Sequence, residues 1–308
     1  MKRSVIQLAG RTLLVSLPVK WADANGVHKG DELDVLEEGH KLVINTEAKS
    51  SIETADLNAD KLGIGGNGVG RYIYALYKKG VDEINVSYSD SKVADSIRDA
   101  LPTHTVGYEI VSQTPKSCVV KLITSGNITE FDNLLRRTFL LLINMSEETL
   151  DTIKRKDIIH LEQTALLEKP NNRLSTVCRR TLNKYGTETY TKVGPLYYIV
   201  EELENIADEF KHYCHNVARL KDLTIKPEAV SLLERVNQAL RTFYEIFYKF
   251  DQEKLNNMSE ARVKFMHDAH KLIDSKKLTP AEFYTVHHAI IMMQKIFGMT
   301  GPYLVLRV

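Results

Sequence analysis

Several groups of side chains in this 308-residue sequence have the types and spacing to do chemistry. Glu204 and Asp208 stand four residues apart, which on a helix puts both carboxylates on one face about a turn apart. His212 and His215 extend that face by another turn. Oxygen ligands combined with imidazole suit iron, manganese or zinc; a solvated acidic helix face accounts for the same spacing. A second group is basic. Lys2, Arg3, Arg11, Lys20 and Lys29 fall in the first 30 positions against Asp23 alone, whereas positions 31–48 hold Asp31, Glu32, Asp34, Glu37, Glu38 and Glu47 against Lys41. A face divided in this way can meet nucleic-acid phosphates in a salt-dependent manner, or it is a charged surface on a dimerisation module. Arg136-Arg137 and Arg179-Arg180 are positioned to pair with acidic helix faces or to take up an anion such as phosphate, and ion pairing is the simpler reading.

Other candidates carry less. Tyr284 and His288 share an i, i+4 face with His287 beside them, and His267 and His270 stand at i, i+3. Histidines in such isolation read as surface or satisfied core groups. Gly63-x-Gly65-x-x-Gly68 matches a dinucleotide-binding fingerprint in form, but no strand is evident before it, so it reads as linker. Cys118, Cys178 and Cys214 include no closely spaced pair and read as free thiols in a reducing compartment. No serine or cysteine nucleophile with a plausible base beside it and no paired catalytic loop is found, so the chain reads as a non-enzyme.

The elements that must position these groups fall into regions. A hydrophobic share of 43% and a net charge of +1 describe an ordinary globular protein with no global pull toward nucleic acid or anionic lipid. Residues 1–48 alternate as the short strands VIQLAG, TLLVSL, ELDVLEEG and KLVINTE, with one short helix between Pro18 and Gly26. So few elements cannot bury a core, which predicts dimerisation. Residues 49–70 read as a linker. Residues 71–125 read as a small α/β unit: a helix ending at Gly80, a strand, a helix stopping before Pro102, and two further strands. From 126 to 308 nearly everything has helical period, with helices after the first at about 157–168, 171–185, 194–220, 226–256, 259–275 and 279–297. Short connections make this an antiparallel bundle of two three-helix units. With no signal-peptide pattern and no continuous apolar run approaching 20 residues, the expectation is a cytoplasmic chain that does not span a membrane.

The opening region resembles the swapped-hairpin DNA-binding domains of the AbrB/SpoVT/MazE type. Gly10-Arg11, the strand to Leu17, Pro18, the helix to Gly26-Val27 and Lys29-Gly30-Asp31-Glu32-Leu33 carry the likeness. The resemblance implies a homodimer built by exchanged hairpins, with Lys2, Arg3, Arg11 and Lys20 facing DNA. Trp21, Ala22 and Asp23 depart from it, standing where such domains often carry paired arginines. The remainder resembles the archaeal branch of PhoU-like phosphate-uptake regulators, through Asp132–Phe139, Val177–Asn183, Glu202–Glu209 and Thr300–Leu304. That resemblance implies a PhoU-like helical bundle responsive to phosphate, a phosphate transporter or signalling kinase as partner, and a metal ion held by Glu204, Asp208 and His212. A pure interaction protein, in which the first region only dimerises, is the alternative.

Overall fold

Alternating apolar residues on either side of Gly10 fold back as a hairpin, β1 (Val5–Leu8) with β2 (Thr12–Val15), in antiparallel register Val5 to Val15 and Leu8 to Thr12. Gly10 has φ +83°, the left-handed conformation such a turn needs. Pro18 then opens the short helix α1 (Val19–Ala24), and a second hairpin pairs β3 (Asp34–Glu38) with β4 (Lys41–Asn45). This computed structural model describes residues 2–8, 10–38, 41–45, 52–62, 68–123, 131–187, 190, 192–275 and 277–307. The chain divides into two compact units, residues 1–53 and residues 54–308.

In the second unit a strand lies where the sequence suggests linker. Residues Thr54–Asn58 form β5, followed by a 3-10 turn over Ala59–Leu62, and β5 pairs in parallel with β6 (Glu83–Ser87) across the helix α2 (Val69–Lys79). Its polar alternation, Thr-Ala-Asp-Leu-Asn, disguises it; only Ala55 and Leu57 turn toward the core. The helix α3 (Lys92–His104) follows, then β7 (Tyr108–Thr114) and β8 (Ser117–Leu122), giving the sheet order β5-β6-β8-β7. Helix α3 runs through Pro102 rather than stopping before it. A proline in the last turn removes one N–H, and the backbone N–H of Thr105 still reaches the carbonyl of Leu101. The core of this part gathers Ile73 and Tyr77 from α2, Ala94 and Ile97 from α3, and Ile84, Val86 and Val120 from the sheet.

The rest is helical: α4 (Phe131–Arg155), α5 (Ile158–Ala165), α6 (Glu168–Tyr185), α7 (Val193–Ala218), α8 (Pro227–Tyr248), α9 (Gln252–Asp274), α10 (Pro280–Gly298) and α11 (Thr300–Arg307). One apolar core runs through them, centred on Phe139, Leu203, Phe210, Phe243, Phe247 and Met292. The break between α8 and α9 falls at Lys249–Asp251, not near 257 as the periodicity suggests. There Asp251 caps the new helix by accepting the backbone N–H of Lys254. Residues Pro280–Arg307 together are long and apolar enough, by composition, to cross a membrane, with mean hydropathy 1.3. No continuous apolar run announced this, because polar residues are scattered along the two helices. In this fold α10 packs Val286, Ala289, Met292 and Ile296 into the bundle core, and its buried Glu282 and His288 have polar partners within the protein.

The α/β part and the helices are joined through α6. The guanidinium of Arg180 donates to the carbonyls of Tyr77 and Val81 at 2.8 and 2.6 Å and pairs with Asp82 at 2.6 Å, with Lys184 also on Asp82. Gly80 makes this approach possible: its φ is +110°, and a Cβ there would stand 2.9 Å from that of Lys184.

Candidate functional site

In residues 1–53 the described side chains include none that is buried. Val5 and Ile6 point to opposite faces of β1, yet they are 59% and 57% exposed, and Leu13 and Leu14 of β2 are 67% and 43% exposed. Val19, Val35 and Leu42 are equally bare. A hairpin apolar on both faces is energetically unfavourable in water, so this surface is built to be covered.

Lys2, Arg3, Arg11 and Lys20 are all exposed, and among the described residues none of them is in an ion pair. The hairpin register separates them. Lys2 and Arg3 lead into β1 at the open end and Lys20 follows from that end after β2, whereas Arg11 sits in the turn, roughly 13 Å along the strands. Asp23 is exposed on α1. Asp31 accepts the backbone N–H of His28 at 2.6 Å, closing the Lys29-Gly30 turn.

The acidic motif lands on α7, lining a cleft of about 280 Å³ between α2, α3, α6 and α7 together with Tyr74, His104, Glu168 and Lys211. Here Glu204 and Asp208 do come together, but protein cations already hold them. Arg179, its side chain 1% exposed, lies 3.0 Å from Glu204 and also pairs with Glu201. Its Nη2 donates to the hydroxyl of Tyr74 at 3.0 Å. Lys211 pairs with Asp208 and lies 3.5 Å from Glu168. Burial opposes charge on Arg179, but Glu204, Tyr74 and Glu201 outweigh it and raise its pKa. Burial also pushes the Glu204 carboxyl above its ordinary value, with Arg179 opposing and Asp208 reinforcing the shift. His212 does not join this cleft: it is exposed, its Nδ1 3.9 Å from Glu209, and it lines a separate shallow hollow with His215, Glu162 and Arg219. Among the described residues no three His, Cys, Asp or Glu side chains are gathered as a metal would need. Glu204, Asp208 and His212 are therefore not a ready ligand set, since the carboxylates are neutralised by Arg179 and Lys211.

Sequence reasoning left out Glu201, Lys211 and Glu168. The first two were signalled by spacing, since Glu201, Glu204, Asp208 and Lys211 form one stripe along α7. His288 is a core histidine with both ring nitrogens engaged: Nδ1 is 2.6 Å from Glu209 and Nε2 is 3.0 Å from the side-chain nitrogen of Asn216. Despite burial, that bond and the nearby histidines hold Glu209 below the usual carboxylate range. His267, His270 and His287 are exposed, and Tyr284 is half-buried against the core. Arg136 stacks on Tyr248, 4.5 Å from the ring centre, and Arg137 is exposed. All three cysteines are free and buried; burial pushes Cys178 and Cys214 up to about 12, which makes them inert as nucleophiles.

The glycine fingerprint has a context that the sequence hid. A strand, β5, does precede it, a helix follows, and β5 and β6 are parallel, so in sequence it falls between the first strand and the helix of a βαβ unit. Gly63 and Gly65 lie outside the described residues, and Gly68 sits at the helix start with ordinary φ of −82°.

No curated protein and no solved structure matches the chain. Residues 6–53, the unit with the bare apolar hairpin and the exposed basic residues, match the family described as antidote-toxin recognition MazE, bacterial antitoxin.

Proposed function

We propose that the protein is a homodimeric, DNA-binding regulator. Its N-terminal units exchange hairpins into one dimeric domain, and its helical part is a PhoU-like responder to phosphate status. The observation that carries this reading is the hairpin of residues 5–15, apolar on both faces and covered on neither. Burying a Val, Leu or Ile side chain is worth about 1.5–3 kcal/mol, so covering several of them in a second copy is ample to hold a dimer. Doubling the chain also doubles the exposed Lys2, Arg3, Arg11 and Lys20, giving a basic surface for backbone phosphates. The phosphate half of the reading is supported by the stretches Asp132–Phe139, Val177–Asn183 and Glu202–Glu209, which lie on α4, α6 and α7 of the helical core.

Sedimentation equilibrium of the full chain tests the dimer: twice the 35.0 kDa chain mass is expected, falling to one in Leu14→Asp. A monomeric parent overturns it. Band shifts on DNA upstream of the protein's own coding region, over a salt series, test the second half. Binding that weakens steeply with salt and is lost in Lys2→Ala/Arg3→Ala/Arg11→Ala/Lys20→Ala supports it. A dimer that shifts no DNA even at low salt leaves the N-terminal unit as a dimeriser only, the reading favoured by the exposed Asp23, Asp31 and Glu32. Phosphate uptake measured in a deletion strain tests the response: uptake unchanged at both high and low phosphate removes that part of the reading.

A further inference from the structure

A cavity of about 470 Å³ opens between α8 and α9, remote in sequence from the acidic cleft, with α10 beneath it. That volume is in the range of small-molecule sites. Its floor is apolar: Met258, Met293 and Ala239 are 5%, 3% and 8% exposed, and the exposed Ala261 lines the mouth. Gln238, Thr242 and Asn257 supply neutral polar groups at the mouth.

The charged groups are unevenly matched. Arg235 is committed to Asp268 at 2.8 Å and to the carbonyl of Ala261 at 3.3 Å. Lys254 is committed to Glu245 at 2.5 Å. Arg262 is in no ion pair among the described residues. Its guanidinium lies over the ring of Phe297, 4.6 Å from the centre, and its Nε is buried with no hydrogen-bond partner. That Nε is shut off from the cavity, but the terminal guanidinium nitrogens are not buried and have no protein acceptor among the described residues, so they are the donors a ligand anion can reach. We propose that this cavity binds an amphipathic organic monoanion, with its carboxylate or sulfonate on Arg262 and its apolar body on Met258, Met293 and the two alanines.

The test is calorimetric titration of the full-length protein with naphthalene-2-carboxylate, with 2-naphthalenemethanol as the neutral analogue. The carboxylate is expected to bind at one site and more tightly than the alcohol. Arg262→Gln should weaken the carboxylate at least about tenfold, the range of one charge-assisted hydrogen bond, and leave the alcohol unchanged. Ala261→Leu, at an exposed helix position lining the mouth, narrows the opening and should weaken both. Melting curves of the two variants confirm that they fold. No binding to the parent, or binding that both folded variants retain in full, overturns the proposal; the second result would place the ligand on another apolar surface, such as the N-terminal hairpin.

Discussion

Replacing Arg179 by methionine tests the claim that the carboxylates of the α7 cleft depend on a cation from the protein itself. The substitution keeps most of the side-chain volume and removes only the charge and its donors. Glu204 is then left largely buried without the cation that pairs with and hydrogen-bonds it. Breaking a buried pair in this way costs about 3–5 kcal/mol. The partner Glu201 adds little to that figure, because it is 38% exposed and exposed pairs are worth at most about 1 kcal/mol. For a unit of this size that destabilisation lowers the melting temperature by on the order of 10 °C. Pairing it with Glu204→Gln sharpens the measurement. The double variant should be less destabilised than the sum of the singles by about 1–3 kcal/mol, because the orphaned charge is gone. The pH dependence has a defined sign. Glu204 already has a raised pKa, so the folded state binds its proton more readily than the unfolded chain. Stability from this group therefore increases as pH falls through the folded pKa. Without Arg179 that pKa rises further, so the Arg179→Met penalty should shrink between pH 7.5 and pH 5 (an assay window spanning roughly that range). Urea or thermal unfolding followed by circular dichroism reads both quantities. A penalty below about 1 kcal/mol, or one that is additive with Glu204→Gln and indifferent to pH, refutes the argument.

Other consequences can be checked on the same protein. Glu282, its side chain 1% exposed, accepts the backbone N–H groups of Thr279 and Lys226 and its pKa is lowered in spite of burial, so Glu282→Gln should lose about 1–2 kcal/mol at neutral pH. Because the folded pKa is depressed, that difference is present above the ordinary carboxylate pKa and should fade as pH falls through the folded value; a difference independent of pH contradicts it. Gly80→Ala combines a left-handed φ with a 2.9 Å approach to Lys184, so a loss of about 1–3 kcal/mol is expected in the same melts, and a neutral outcome would refute the close junction. Elemental analysis after manganese or zinc loading should give the same metal content for the parent and Glu204→Gln/Asp208→Asn. Metal lost in the variant would show that the ion displaces Arg179 and Lys211.

Local pattern carried much of this fold. The strands β6 and β8 and the long helices follow from periodicity within one segment, and Gly80 and Pro227 mark a helix end and start where such residues belong. What escaped was decided elsewhere in the chain. β5 is an edge strand whose Thr54, Asp56 and Asn58 face away from the core, so its pairing with β6 rests on a crossover that local polarity conceals. The break at Lys249–Asp251 was signalled by Asp251 three residues before Lys254, but the helical period runs on through it.

The acidic motif shows the same limit in its sharpest form. Spacing placed Glu204 and Asp208 on one face of one helix, and the structure puts them there. What a pair of carboxylates does depends on what stands opposite, and that is fixed by α6, whose Arg179 lies on the preceding helix, across the α6–α7 connection from Glu204. A metal ion and an arginine answer the same electrostatic need. Arg179 can do so with Ser175, Thr176 and Tyr74 taking its other donors, which makes it a fixed part of the cleft rather than a loose surface cation. A motif on one helix thus names the charge to be neutralised, and only the packing of the neighbouring helix decides which cation neutralises it.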